Sequence, residues 1–415
     1  MKSMDSANGR NTVRCPLRLV SVVLTILFAV SGCGGEHPPS GSKAADPKAP
    51  PEAFPQDPTA TIQGDWPSPG TEHDPADVVA LGARLAYAYD QDDVGITAFR
   101  LDSGDVAWHT TIPEGSSVAQ APRLTGNMVI GAFATTKSGS GTYADRHGIS
   151  VIAMEAGTGK TLWTREIATD NAAGAAVPHV VEADARHVLV ASYEQGYSET
   201  PPLSALLDTR TGRVIWTDAD FKAVDLEESV AVGIRDDGDL AGKSTSDGKQ
   251  QWKRDLQLGE IRATDPGPGL TFADGTAAGG TLLIDAATGT TRLDSGDTSL
   301  LGCRYDGWNT TICAGADGSG NAAAWAVDVR TSDVLWRLPD TSTNRVAPEI
   351  TSAWHGVVYA QADQAMTLDI RTGKDLRTSV GPISPTMVND GYGLIYDDSA
   401  RTIDVYRAAD GSASD

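Results

Sequence analysis

The sequence has little positive charge and little phenylalanine. Its 33 Lys and Arg face 55 Asp and Glu, which gives a formal net charge of −22. This deficit argues against nucleic acid as a partner, because binding a phosphate backbone needs a basic surface. Only 6 Phe accompany 44 Gly and 9 Trp. That balance is unusual for a helical enzyme and indicates many turns and a recurring use of tryptophan.

The sequence also lacks an apolar run long enough to cross a membrane. Residues 19–30 form an uncharged, apolar-rich stretch of a length typical of the core of a signal peptide. The stretch follows the basic residues Lys2, Arg10, Arg14 and Arg18 and runs into Val30-Ser31-Gly32-Cys33. Small residues followed at once by cysteine resemble the bacterial lipobox, whose cysteine is lipidated and becomes the first residue. We therefore expect a lipoprotein signal peptide over 1–32 and a palmitate-type anchor on Cys33. The alternative is an ordinary signal peptide with a chance cysteine.

Cysteine is scarce, and each of the 4 residues has an expected fate. Cys15 would leave with the signal peptide and Cys33 would carry lipid. Cys303 and Cys313 flank a turn-rich stretch between two short apolar runs, so they can face each other across a hairpin. An exported protein permits a disulfide there. The alternative is a metal pair, for which two cysteines without a nearby histidine are too few.

The folded part of the chain is predicted to begin after a proline-rich segment. Residues 33–60 are rich in Pro, Gly, Ser and Ala, a composition that cannot build a core. We expect the segment to be a disordered linker that holds residues 61–415 off the membrane. The acidic charge suits a protein that stays soluble beside the membrane to which the lipid attaches it.

One short segment recurs eight times between residue 101 and the end of the chain. Each copy has a polar or acidic position, a tight turn and a residue four positions after the turn glycine. The turn residues are Gly104, Gly159, Gly212, Gly248, Gly289, Ser332, Gly373 and Gly411. The residue four positions later is tryptophan in five copies, at Trp108, Trp163, Trp216, Trp252 and Trp336.

The repeat predicts an all-β protein. Two further β-type runs precede each turn, so about four strands recur at a period typical of propeller blades, and no segment reads as a convincing amphipathic helix. We predict an eight-bladed β-propeller of four-stranded antiparallel blades, with the five tryptophans docking neighbouring blades. A solenoid is the alternative, although the ends of the chain have no polar caps. Because the last copy lacks an outer strand, segment 59–66 is predicted to supply it.

The pattern A-x-D-x-x-T-G-x-x-x-W resembles the repeat of quinoprotein (PQQ-type) β-propellers over about residues 75–415. That resemblance implies one of two functions. Some members are quinone-dependent alcohol or sugar dehydrogenases, and others are cofactor-free, such as BamB-like lipoproteins and sensor ectodomains. This sequence lacks the adjacent Cys-Cys pair common in the dehydrogenases, and no cluster of quinone-binding cations can be located. We therefore expect no enzyme activity, no bound quinone and no metal.

Candidate binding residues lie where the spacing between strands is longest. Segments 134–148 and 193–202 belong to adjacent blades and carry Tyr143, Arg146, His147, Tyr193 and Tyr197. Tyrosine and arginine are enriched at interaction hot spots. The alternative is that these segments are merely tolerated insertions. No catalytic constellation is found, and GTGKT (157–161) lacks the first glycine of a phosphate-binding loop.

These observations together predict a membrane-anchored, extracytoplasmic binding platform for an envelope protein. Two other functions stay open, a quinone-dependent dehydrogenase and a small-ligand sensor.

Overall fold

The computed structural model describes residues 50–408. It leaves gaps at 52, 65–77, 91–93, 113–114, 117–120, 141, 143–144, 170–176, 194–201, 236–237, 257–265, 274–279, 379–383 and 398. Within the described ranges the chain forms strands joined by turns and bends, and no helix. The strands form eight antiparallel sheets, which are the blades of a propeller. The eight-bladed fold predicted from the repeat is therefore confirmed.

Blades 1 to 4 follow one another along the chain. Blade 1 contains β2 Val79–Leu81, β3 Leu85–Asp90, β4 Gly95–Arg100 and β5 Val106–Thr111. Blade 2 contains β6 Gly115–Ser116, β7 Arg123–Thr125, β8 Met128–Lys137, β9 Arg146–Glu155 and β10 Thr161–Ala168. Blade 3 contains β11 Val177–Ala183, β12 His187–Tyr193, β13 Leu203–Asp208 and β14 Val214–Asp218. Blade 4 contains β15 Phe221–Glu227, β16 Val230–Arg235, β17 Leu240–Ser244 and β18 Gln250–Arg254.

Blades 5 to 8 continue the ring. Blade 5 contains β19 Leu270–Ala273, β20 Leu282–Asp285 and β21 Thr291–Asp294. Blade 6 contains β22 Ser299–Tyr305, β23 Thr310–Ala316, β24 Ala322–Asp328 and β25 Val334–Leu338. Blade 7 contains β26 Glu349–Trp354, β27 Val357–Gln361, β28 Ala365–Asp369 and β29 Asp375–Arg377. Blade 8 contains β30 Met387–Val388, β31 Tyr392–Asp397, β32 Thr402–Arg407 and, from the other end of the chain, β1 Ala60–Gln63.

Two blades depart from the simple four-strand pattern. In blade 2, β6 and β7 both pair with β8 and share the innermost position. In blade 5, the segment that precedes β19 lies outside the described residues, so three strands are described. In most other blades the first strand contacts the first strand of a neighbour, as β11 does with β15 and β22 with β26. The first strands therefore line the centre of the ring.

The amino-terminal strand closes the ring. β1 pairs antiparallel with β32, with Ala60 opposite Val405 and Gln63 opposite Thr402. Ile62 is fully buried in the apolar cluster shared by blades 8 and 1. The predicted origin of the missing outer strand is thus confirmed, and a strand from each end of the chain locks the last blade.

Contact with the propeller begins before the residue 61 boundary predicted from the sequence. The Tyr359 hydroxyl donates a hydrogen bond of 2.6 Å to the carbonyl of Pro51. Phe54 is buried against Tyr359 and Tyr406, so the segment lies across blades 7 and 8. A Cβ added at Gly393 would lie 2.9 Å from the Phe54 ring. The end of the proline-rich segment is therefore a strap bound to the propeller.

The repeat residues join each blade to the next. All seven described turn residues have positive φ, between 62° and 78°: Gly104, Gly159, Gly212, Gly248, Gly289, Ser332 and Gly373. In five joints a tryptophan of the preceding blade packs on the turn glycine so closely that no Cβ would fit, as with Trp163 on Gly212. Four indole N–H groups donate across the joint, Trp108 to Ala156, Trp163 to Thr209, Trp252 to Ala286 and Trp336 to Ile370. The tryptophan thus docks neighbouring blades by shape and by a hydrogen bond.

Trp216 docks in a different way. Its ring packs on Gly248 of blade 4, but its buried Nε1 has no hydrogen-bond partner within the described ranges. Lys243 lies 5.7 Å from the centre of the Trp216 ring and forms an ion pair with Asp218. An ion pair therefore joins blades 3 and 4, whereas four other joints have an indole hydrogen bond.

The shape of the repeat turn, which recurs from blade to blade, follows from its Asp and Thr side chains. Asp208 Oδ1 accepts hydrogen bonds from the Thr211 backbone N–H at 2.9 Å and from the Thr211 hydroxyl at 2.6 Å. The bond from the Thr211 hydroxyl holds the pKa of the Asp208 carboxyl below its usual value. Asp285 with Thr288, and Asp369 with Thr372, repeat this arrangement. The motif D-x-x-T-G therefore specifies a self-capped turn.

Cys303 and Cys313 form a disulfide between β22 and β23, where they are directly opposite each other. Both residues are buried in the apolar cluster that blade 6 shares with blade 5. Among the residues that the structure describes, no helix has the length and apolar character needed to span a membrane.

Candidate functional site

The strand order gives the ring two different faces. Because neighbouring strands within a blade are antiparallel, the connections between second and third strands emerge on one face, here named the B–C face. The connections between first and second strands emerge on the opposite face, named the A–B face, together with the repeat turns. The long segments singled out from the sequence belong to the B–C face.

Among the residues that the structure describes, the longest hairpin on the B–C face is that of blade 2. β8 and β9 have ten residues each and stay paired out to Lys137 opposite Arg146. The second and third strands of the other blades have four to seven residues. The sequence predicted a loop over 134–148, but only 138–145 connects the strands. Arg146 and His147 therefore lie on a strand, in a hairpin that projects beyond the ring.

Polar contacts hold the base and the tip of this hairpin. Lys137 Nζ lies 2.5 Å from Glu166 Oε2 on β10, which extends the sheet to a third strand. His147 Nδ1 lies 3.1 Å from the Thr136 hydroxyl on the opposite strand. At the tip, Asp145 accepts a 2.8 Å hydrogen bond from the Gly139 N–H. Arg146 is exposed. The hairpin therefore presents a cation on a rigid arm.

The other predicted binding residues are only partly placed. Tyr193 is the last residue of β12, on blade 3 beside the hairpin blade, and Tyr143 and Tyr197 lie outside the described residues. The structure thus puts Arg146, His147 and the backbone of Tyr193 on the same face of adjacent blades. It gives no geometry for the full set of five.

A shorter connection on the same face is closed on itself. Asp317 accepts hydrogen bonds from the backbone N–H groups of Ser319 and Asn321, each at 2.9 Å. The backbone bond from Asn321, followed by its side-chain bond, keeps the pKa of Asp317 below its usual value. This carboxylate is therefore occupied in shaping the turn over 317–321.

Two arginines on the inner strands donate hydrogen bonds to carbonyls of the next blade, and a histidine on an inner strand is buried. The Arg123 Nε donates to the Val181 carbonyl of the next blade at 3.1 Å, and the Arg304 Nε donates to the Thr351 carbonyl at 3.1 Å. Burial, with Arg123 nearby, lowers the pKa of His179 to about 4, so this side chain is neutral at pH 7. In the part of the chain that the structure describes, no three metal-ligating side chains come together.

Trp308, Trp325 and Trp354 lie outside the repeat. Trp325 is buried, with the Arg337 guanidinium 3.8 Å above its ring. Trp308 and Trp354 lie on the A–B face, where they sandwich His355. The signal that could have found them is positional, because YDGWN (305–309) and AWHGV (353–357) occupy the same turn in consecutive blades.

Eight antiparallel blades, with a tryptophan packed on the turn glycine at five of the joints, define the chain as a β-propeller. A family model described as outer membrane protein assembly factor BamB matches residues 63–218 and 149–296. Together the two matches span more than half of the 415 residues. The chain belongs to this BamB family of PQQ-like propellers.

Solved structures share the propeller architecture at low identity. BamB from Moraxella catarrhalis is 16% identical, with 85% of this chain and 98% of that chain covered and a TM-score of 0.45. The computationally designed protein Ika8 is 15% identical, with 85% and 99% covered and a TM-score of 0.52. A europium-containing methanol dehydrogenase is 11% identical, with 84% and 87% covered and a TM-score of 0.43. The likeness to Ika8 shows a shared fold, and no function follows from any of the three. No curated protein matches the sequence.

Proposed function

We propose that this chain is a binding platform of the cell envelope, held on the extracytoplasmic side of a membrane by lipid on Cys33. It acts by capturing an envelope protein and does no chemistry of its own. Membership in a family described as an outer membrane assembly factor supports a role of this kind. The lipobox-like sequence that ends at Cys33 supports the anchor.

The projecting hairpin of blade 2 is the observation on which this proposal depends. Rigid scaffolds commonly carry their binding residues on connections that project from them. β8 and β9 keep pairing out to Lys137 and Arg146, well past the length of the other blades. An arm of this kind is rigid before a partner arrives, so little conformational entropy is lost on binding. The partner would contact the exposed Arg146 and the neighbouring end of β12.

Shortening the hairpin tests the proposal. Thr135 and Gly148 are opposite each other across β8 and β9, so an Asn-Gly turn can replace residues 136–147 at that point. The matched control replaces the self-closed turn at 317–321 on the same face. After crosslinking in cells, the shortened hairpin should lose the captured envelope protein, and the control should keep it. Equal capture by both variants would contradict the assignment of the hairpin.

Three further measurements test the lipid anchor and separate the binding platform from the two alternative functions. Cys33→Ser should move the protein out of the membrane fraction without changing its melting temperature. The quinone-dependent dehydrogenase predicts a new absorbance band and dye-linked alcohol or sugar oxidation after incubation with PQQ and calcium. A small-ligand sensor predicts a melting temperature that rises with ligand. Either result would replace the binding platform as the function.

A further inference from the structure

Three consecutive turns on the A–B face build a stack of aromatic rings. Trp308 follows β22 in blade 6, and Asp390 lies in the β30–β31 turn of blade 8. In blade 7, Trp354 ends β26 and His355 follows it. The Trp308 ring centre lies 4.7 Å from that of His355, with 10° between the planes. The Trp354 ring centre lies 4.1 Å from His355, with 25° between the planes. His355 is therefore held between two indoles from different blades.

Hydrogen bonds fix the turns that carry the stack. The buried Asp306 carboxylate accepts three backbone N–H bonds of its own turn, each at 3.0 Å. Its other oxygen accepts the Gly356 N–H at 3.2 Å, and its backbone carbonyl accepts the His355 N–H at 2.7 Å. His355 adopts a φ of 44°, which a residue other than glycine rarely does. The turn of blade 6 therefore holds the turn of blade 7 in a fixed position.

Asp390 completes the far end of the stack. Its Oδ1 accepts a 3.0 Å hydrogen bond from Trp354 Nε1 and lies 3.3 Å from His355 Nδ1. The Asp390 side chain is 43% exposed, so its carboxylate is open to solvent. The stack thus presents a carboxylate at one end and an indole at the other.

Trp308 is exposed although it is held in place. It is 44% exposed, and since one face of its ring covers His355, the exposure comes from the other face and the ring edges. It lies outside the repeat, so it docks no blade in the way that Trp163 docks on Gly212. A rigid, open indole is the kind of side chain that dominates binding energy at interfaces.

The negative charge of the protein favours a cationic ligand at the aromatic stack. With a net charge of −22, the protein attracts cationic segments and repels anionic ones, including anionic lipid surfaces. A guanidinium stacks well on an indole face and also pairs with a carboxylate. A guanidinium already stacks on an indole within this chain, because Arg337 lies 3.8 Å above the ring of Trp325.

We infer that Trp308, His355, Trp354 and Asp390 form a second docking site, which binds an arginine-bearing segment of a protein partner. One arginine stacks on the open face of Trp308, and a second cationic group of the same segment pairs with the exposed Asp390 carboxylate. The site lies on the opposite face from the blade 2 hairpin. It depends neither on that hairpin nor on the lipid anchor.

Indole resonances of the full-length protein test this inference. The 9 tryptophans give few enough side-chain N–H signals to follow individually by NMR in protein labelled with ¹⁵N-tryptophan, and Trp308→Phe assigns the signal of Trp308. The probe is the peptide acetyl-Gly-Arg-Gly-Arg-Gly-amide at low salt. A peptide with citrulline in place of arginine has nearly the same shape without the charge. An N-acetylglucosamine tetramer tests a glycan as the occupant.

We expect the arginine peptide to shift the Trp308 and Trp354 signals saturably and to leave Trp325 unchanged. Trp308→Ala should weaken binding about fivefold and Asp390→Asn about two- to threefold. Leu162→Ala, a change at an exposed position on β10, should leave binding unchanged. No saturable shift, an equal shift with citrulline, or saturation by the glycan alone would overturn the inference. Unshifted signals from the other tryptophans confirm that each variant is folded.

Discussion

Replacing Gly212 with alanine should test whether the tryptophan joint stabilises the ring. Gly212 has a φ of 64°, and an added Cβ would lie 2.5 Å from Cε3 of Trp163. An alanine with this backbone conformation costs about 1–2 kcal/mol. The clash adds about 1–3 kcal/mol for overpacking, and displacing the indole breaks its 2.8 Å hydrogen bond to the Thr209 carbonyl. The summed loss in free energy of unfolding should be about 3–5 kcal/mol.

Gly126 supplies a matched control for this substitution. It has a φ of 56°, and in the described part of the chain a Cβ there would meet no atom within 4 Å. Gly126→Ala therefore carries the cost of the backbone conformation without a steric clash. Its free energy of unfolding should fall by only about 1–2 kcal/mol. The difference between the two variants isolates the packing of Trp163 on the turn.

Urea unfolding followed by circular dichroism measures both variants. A double variant, Trp163→Ala with Gly212→Ala, completes the comparison, because removing the indole should reduce the cost of Gly212→Ala to that of Gly126→Ala. If the two glycine variants lose equal stability, or if the cost at Gly212 is unchanged without Trp163, the docking role assigned to the tryptophans is wrong.

Three further predictions concern closure, the disulfide and pH. A chain that begins after Gly70 lacks β1 and the strap at Phe54, so its unfolding free energy should fall by at least about 4 kcal/mol; an unchanged melting temperature would contradict ring closure. Replacing Cys303 and Cys313 with alanine should cost about 2–3 kcal/mol in urea, an effect that dithiothreitol should reproduce in the wild type. Burial lowers the pKa of His179 from 6.5 to about 4, so the folded state resists protonation and stability should fall by about 3 kcal/mol as pH drops from 6.5 towards 4. His179→Gln should remove that slope, and an unchanged slope would rule out His179 as its source.

The repeat made the ring predictable because one local rule recurs. The motif D-x-x-T-G specifies a turn through its own side chains, as Asp208 and Thr211 show. Tryptophan at a fixed distance from the turn then predicts the joint between blades. The need for an outer strand in the last blade pointed to segment 59–66, and β1 lies within it.

Features that lie outside the repeat could not be predicted from the sequence in this way. Phe54 lies in a proline-rich segment that reads as a linker, and its pocket is formed by blades 7 and 8, more than 300 residues away. Arg146 and His147 fall in a long interval between predicted strands, which indicates a loop, yet cross-strand pairing extends through both. The stack around His355 depends on turns from three blades meeting in space. Each of these features is tertiary, so local sequence carries little signal for it.

Site-specific photo-crosslinking in the cell tests most directly whether the blade 2 hairpin binds an envelope protein. A photoreactive residue at position 146, on the blade 2 hairpin, should crosslink one envelope protein that mass spectrometry identifies. The same residue at position 106 is a control, since Val106 is 57% exposed on the outer strand of blade 1. A binding platform built on this hairpin should give a discrete product at 146 and none at 106. The same product at both positions, or no product at 146, would contradict a binding platform built on this hairpin.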